Sequence, residues 1–218
     1  AMKASLPDHV TDDGWLTFSI HGLVIDDGER RILVDGGVGD GKPRPAPWFD
    51  RLETRWLDRL ADAGFGVETF DTVVVTHVHV DHVGWMTRAD GHAWVPSFPG
   101  ARHLVVADEL DHWLGLGEPP DDGDHLSDSV APVLAADLLD RVAADARISE
   151  HVRLISTPGH TPGHASVMIE SGGAAAVITG DLLHHPIQIS RPDLASPFDD
   201  DVAVATRQVP AGTEVRLG

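Results

Sequence analysis

The sequence predicts an α/β fold in which two β-sheets lie together and helices cover their outer faces. Strand-like and helix-like patterns run in the order strands, helices, strands, helix, with no internal repeat and no low-complexity linker. At 218 residues and 42% hydrophobic content the chain can bury a substantial core, and one domain spanning 1–218 is expected. An apolar run, Thr72-Val73-Val74-Val75, reads as a fully buried strand, and it feeds directly into Thr76-His77-Val78-His79-Val80-Asp81-His82.

Taken in order, Trp15 to Ile25 reads as one or two strands. Asp26-Asp27-Gly28-Glu29 is a turn, and Arg30 to Val34 returns as a strand, which makes a hairpin. Asp35 ends it as a turn residue, with a supporting role near the histidines as the alternative. Lys42 to Pro47, with three prolines, reads as an ordered surface loop. Trp48 to Ala63 has helical spacing, with Leu52, Trp56, Leu60 and Ala63 on one stripe and Gly64 as its stop. Trp85 to Gly100 fits neither period; its large apolar groups suit core packing or a pocket wall. Arg102 to Ala107 reads as a strand, and Asp108 to Leu114 as a helix capped by Asp108. Glu118 to Asp124 is a loop, and Ser127 to Val142 a helix with Ser127 or Asp128 as cap. Val152 to Ile155, Ala165 to Glu170 and Ala174 to Ile178 are three more strands, and Asp199 to Gln208 begins a helix.

Composition excludes several classes. With no cysteine, disulfides and thiolate chemistry are ruled out, and a metal must take nitrogen and oxygen ligands. The net charge of −19, from 16 Lys+Arg against 35 Asp+Glu, repels nucleic-acid phosphate. No stretch approaches the roughly 18 apolar residues of a membrane span, and no apolar core follows Ala1-Met2-Lys3-Ala4, so no signal peptide is expected and the cytoplasm is the expected compartment. Fourteen histidines are more than packing explains.

In extended backbone His77, His79 and Asp81 would share one face, because the side-chain period is two, and a strand end that turns at Asp81-His82 would aim two ligands at one ion and two at another. Gly84 would let the backbone leave tightly. Further ligand types recur in Thr157-Pro158-Gly159-His160-Thr161-Pro162-Gly163-His164 and in Thr179-Gly180-Asp181.

These three ordered blocks resemble the H-x-H-x-D-H signature and downstream motifs of the metallo-β-lactamase-fold hydrolases. The resemblance implies a four-layer αββα sandwich with metals at one sheet edge. It implies two divalent ions, zinc first, with manganese, iron or cobalt as substitutes. His77, His79 and His160 would hold one ion, Asp81, His82 and a further histidine the other, and Asp181 would bridge them. Asp81 would also shuttle the proton, and His164 would support the ligands from behind. The nearest branch is the acyl-homoserine-lactone lactonases and the methyl-parathion-hydrolase-like enzymes. In the former a tyrosine stands three residues after the bridging aspartate; here His184 does, as a candidate catalytic group.

The resemblance also places a last histidine well after Asp181, and none follows His185. An absent segment between about Gln208 and Val209 is the expected cause. The implied reaction is hydrolysis of a small neutral ester, lactone or phosphotriester. A mononuclear iron oxidoreductase like the persulfide dioxygenases, and a metal-poor scaffold without catalysis, stand as alternatives. The expected partners are a small-molecule substrate and, as an assembly open to the chain, a second copy in a homodimer; nucleic acid and membrane are not expected.

Overall fold

A computed structural model describes residues 7–117 and 123–208. Two sheets carry the fold. The larger has the order β1(Leu23–Asp26), β2(Arg31–Val34), β3(Thr72–Val74), β6(Arg102–Val106), β7(Leu139–Val142). β1 and β2 are antiparallel; every other neighbour in that sheet is parallel. The smaller sheet is antiparallel in the order β10(Ala174–Ile178), β9(Ala165–Ser171), β8(Val152–Ser156). A separate hairpin joins β4(Thr87–Asp90) and β5(Ala93–Pro96).

The central strands β2 and β3 are largely apolar on both faces because both faces are covered. Ile32, Val34, Val74 and Val106 pack inward against Val152, Leu154, Ala165 and Val167 of the smaller sheet. Leu33 and Val73 face outward with Phe70 and Phe98, under Trp56, Leu57 and Leu60 of helix α1(Trp56–Asp62). Val75, Val78, Val83 and Val105 face outward under Leu110 and Trp113 of α3(Ala107–Gly115) and Val133 of α4(Ala131–Ala135). A single helical turn, α2(Val80–Val83), follows β3; α5(Ile187–Ser190) and α6(Val202–Gln208) follow the smaller sheet. This is the expected αββα arrangement.

Several element boundaries differ from the sequence expectation. The helix expected over Trp48 to Ala63 forms only at Trp56–Asp62. Arg51 and Arg55 adopt left-handed backbone, and Asp40 accepts from the Thr54 and Arg55 amides, so the chain turns before it can coil. The helix expected over Ser127 to Val142 is a π-helical turn, Leu126–Val130, running into α4. It breaks at Asp137, whose φ is 56°, and Leu139 to Val142 pairs with β6 instead. Pairing with a buried neighbour outweighs helix propensity there. Of Trp15 to Ile25 only the last three residues enter a strand. Thr87–Pro96, which showed no period, is a hairpin.

None of the expected helix caps acts as one: α3 starts at Ala107 with no side-chain cap, Ser127 lies inside an uncapped π-helical turn, and Asp128 is engaged elsewhere. The Glu118–Asp124 loop lies mostly outside the described residues, and so does the expected break after Gln208. No helix among the described residues is long and apolar enough to cross a membrane.

The proline loop lies at the surface, with Pro43, Pro45 and Pro47 exposed, and is anchored by two buried side chains. Lys42 is fully buried; its Nζ donates to Thr87 Oγ1 at 2.7 Å, Ser129 Oγ at 3.0 Å and Asp128 Oδ1 at 3.2 Å, under the Trp94 ring. Arg44 forks onto the same carboxylate at 2.6 and 2.9 Å. One carboxylate thus serves two buried cations. Asp128→Asn would leave them uncompensated, so denaturant unfolding should show a loss of about 3–5 kcal/mol. A loss near zero would mean that the cations find water instead.

Candidate metal centre

The site forms where β3 ends. The chain bends at Thr76 and His77, is extended at His79 and turns helical at Val80. Asp81 therefore leaves the face it would share with His77 and His79 in a fully extended segment, and the turn comes at Val80, one residue before the Asp81-His82 turn expected from the sequence. Gly84 has ordinary helical dihedrals, so a tight exit is not its role. A Cβ there would lie 1.9 Å from the Val38 carbonyl, so glycine is required because two backbones touch. That contact docks the turn after β2 onto the histidine turn, with Gly84 N–H donating to Gly37 O at 2.7 Å.

Asp35 sits on the docked turn with φ of 61°. Its carboxylate is buried and accepts from Thr76 N–H at 2.8 Å, Thr76 Oγ1–H at 2.8 Å and His82 Nδ1–H at 2.9 Å. It is thus more than a turn residue: it fixes which nitrogen of His82 faces the site. His82 Nε2 points to Asp181 Oδ1 at 3.2 Å, and Asp81 Oδ2 lies 3.8 Å away. Burial alone would push His82 down, but the Asp35 and Asp181 carboxylates outweigh it and hold the ring well above the usual histidine range.

Three more imidazoles converge beside it. His77 Nε2 and His160 Nε2 stand 2.9 and 2.8 Å from His79 Nδ1. The far nitrogens decide the tautomers. Thr76 Oγ1 already donates to Asp35, so it accepts from His77 Nδ1–H at 3.0 Å. Asp199 Oδ1 accepts from His160 Nδ1–H at 3.0 Å. Both Nε2 atoms are then bare lone pairs aimed at one point, and at most one proton, on His79, can lie among the three. Burial, aided by the neighbouring rings, pushes His79 down to about 2. Burial also takes His160 down to about 3, so both rings stay neutral. Convergent, neutral, buried imidazoles are a nitrogen donor set for a cation, and the residues present fit one.

Asp181 stands between the groups. Its Oδ2 lies 3.4 Å from His160 Nε2 and 3.9 Å from His77 Nε2, while Oδ1 faces His82. Donor atoms of His77, His79 and His160 lie within 4.8 Å of one another, as do those of His77, His82 and Asp181. The structure thus brings together His77, His79, His82, His160 and Asp181. Asp81, half-buried, belongs to none of these tight groups. His164 points elsewhere: Nδ1 meets Thr157 Oγ1 at 2.8 Å, and Nε2 accepts from Asp181 N–H at 3.1 Å. It holds Asp181 from behind.

His184 Nε2 lies 3.2 Å from Asp181 Oδ2, and its Nδ1 has no partner among the described residues. His185 turns away, with Nε2 on His9 O at 3.0 Å. His160, His184 and Asp199 form a third close group. Sequence reasoning missed Asp199. Only its place at the start of the last helical pattern marked it, and its contact with His160 spans 39 residues.

A model of the metallo-beta-lactamase superfamily matches residues 17–213. A ribonuclease of Thermus thermophilus is 28% identical over 173 residues, 77% of this chain but 35% of that protein. The chain therefore spans about a third of that relative. The crystal structure of the hydrolase AbOPH, described as in the beta lactamase superfamily, superposes with a TM-score of 0.75 at 27% identity, covering 95% of this chain and 71% of that one. AidC, described as a dizinc quorum-quenching lactonase in complex with a product, gives 0.71 at 25% identity, covering 94% and 71%.

Asp35→Asn replaces an acceptor with an amide that opposes the His82 N–H. Metal titration should show affinity on the His82 side weakened by about 10–100-fold. Unchanged affinity would remove Asp35 from the support of the site.

Proposed function

The chain belongs to the metallo-beta-lactamase superfamily, and on that premise we propose that it is a metal-dependent hydrolase of a small, neutral ester, lactone or phosphotriester. The observation that carries this reading is the convergence of His77 Nε2, His79 Nδ1 and His160 Nε2 beside the two-sided carboxylate of Asp181. His77, His79, His160 and Asp181 would hold one divalent cation. His82, Asp181 and Asp81 would hold a second, zinc being the first candidate for both. Such a pair supplies Lewis acidity and makes hydroxide available near neutral pH.

The chain's own residues divide the remaining work. Asp81 stands beside His82 at the open edge of the group, where its carboxylate can accept the proton released as water adds to the substrate. His184, beside Asp181, would orient the oxygen on which charge develops. The substrate's uncharged part would meet an apolar rim at Phe198, which is exposed with its ring 6.4 Å from that of His184. The rim and the net charge of −19 favour a neutral substrate over nucleic acid. The similarity to a ribonuclease keeps phosphodiesters as the second reading.

Metal analysis paired with a hydrolysis screen over lactones, aryl esters, phosphotriesters and an aryl phosphodiester tests this. Zinc-like ions and chelator-sensitive turnover of a neutral substrate are expected, with Asp81→Asn lowering kcat by about 10²–10⁴-fold while the fold survives. A single iron without hydrolysis would favour the oxidoreductase alternative. Turnover of the diester alone would favour the ribonuclease-like one.

A further inference from the structure

Glu109 is fully buried on α3, carries a carboxylate, and has no place among the ligands. Both its oxygens are occupied twice. Oε1 accepts from Val78 N–H at 2.8 Å and from Trp113 Nε1–H at 2.7 Å. Oε2 accepts from Thr161 Oγ1–H at 2.7 Å and from Gly163 N–H at 3.0 Å. Val78 is the residue between His77 and His79, and Thr161 follows His160. One side chain therefore ties together two histidine loops that lie about eighty positions apart in sequence.

The neighbourhood is built around this tie. Val78 is held from its other side by His125 Nε2–H, which donates to the Val78 carbonyl at 2.9 Å. Trp113, positioned by Glu109 one helical turn away, sets its ring edge-on to His79 at 5.2 Å. A Cβ on Gly163 would lie 2.2 Å from the Glu109 amide nitrogen, so the loop is packed directly on the helix.

We infer that Glu109 is a positioning residue for the metal centre, a four-donor clamp that sets the distance between the His77–His79 loop and the His160 loop. The inference rests on the metal reading above and adds a residue to it. The physical argument is that a buried carboxylate must find several donors, and here the donors are supplied only when both loops are in place. An amide cannot substitute, because its NH₂ would face either the Val78 and Trp113 donors or the Thr161 and Gly163 donors.

The test measures zinc affinity by chelator competition, and the visible spectrum of the cobalt(II) form, for Glu109→Gln and Thr161→Val. Phe70→Leu, buried beneath α1 and away from the histidines, serves as a control for stability alone. Glu109→Gln should weaken the tighter zinc by about 10–100-fold and alter the cobalt spectrum. Thr161→Val, which removes one of four donors and keeps the side-chain shape, should show a smaller change of the same kind, and it decides the matter if Glu109→Gln does not fold. Phe70→Leu should lower the unfolding midpoint and leave zinc affinity and spectrum as in the wild type. Zinc affinity and spectra unchanged in both Glu109→Gln and Thr161→Val, with only stability lowered, would overturn the clamp and leave the metal reading standing. A wild type that takes up no zinc would overturn both.

Discussion

His77, His79 and His160 place three buried ring nitrogens within hydrogen-bonding distance of one another, and at most one proton can lie among them. Left alone, lone pairs packed in this way repel, and burial denies them water. Each ring is therefore held by something that contacts its far side or its backbone. Thr76, itself bonded to Asp35, receives His77; Asp199 receives His160; Trp113 sets its edge against His79. The same Asp35 carboxylate orients His82, so one buried acid on a left-handed turn aims rings in both groups. A cation is the partner that answers such an arrangement, and the tertiary structure is spent on making it.

That arrangement bears on three features of the fold. The turn after β2 must touch the histidine turn closely enough to exclude any Cβ at position 84, because Asp35 cannot otherwise reach Thr76 and His82. β3 must be parallel and covered on both faces, because its end carries the ligands into the protein rather than onto its surface. The segment after Ser196 must return to the site, because Asp199 orients His160, and Asp200 N–H and Asp201 N–H donate to the His160 and Gly159 carbonyls.

Much of this was legible in the chain. An apolar strand running into H-x-H-x-D-H, followed by two more ligand-bearing blocks, marked the residues that converge, and the order of strand and helix patterns marked the layers. What stayed hidden was long-range. Local period alone would put Asp81 on one face with His77 and His79, and only the turn that makes the backbone helical at Val80 separates them. Leu139–Val142 was read as helix because its partner β6 lies more than thirty residues earlier. Glu109 carries no local signal, and the helix-start positions of Asp128 and Asp199 point to caps rather than to the roles they hold. Each is an ordinary acidic residue in its own segment and acquires a role only when remote donors reach it. Lys42 is the same case: in sequence it belongs to a proline loop, and in the fold it is a buried cation.

The central claim, that the three converging imidazoles are a cation site, is tested most directly by anomalous diffraction at the zinc edge from crystals grown with zinc. The account predicts a peak at about 2.0–2.1 Å from His77 Nε2, His79 Nδ1 and His160 Nε2 together. Density showing the three rings in place around a water, or turned apart, with no anomalous signal, would contradict it.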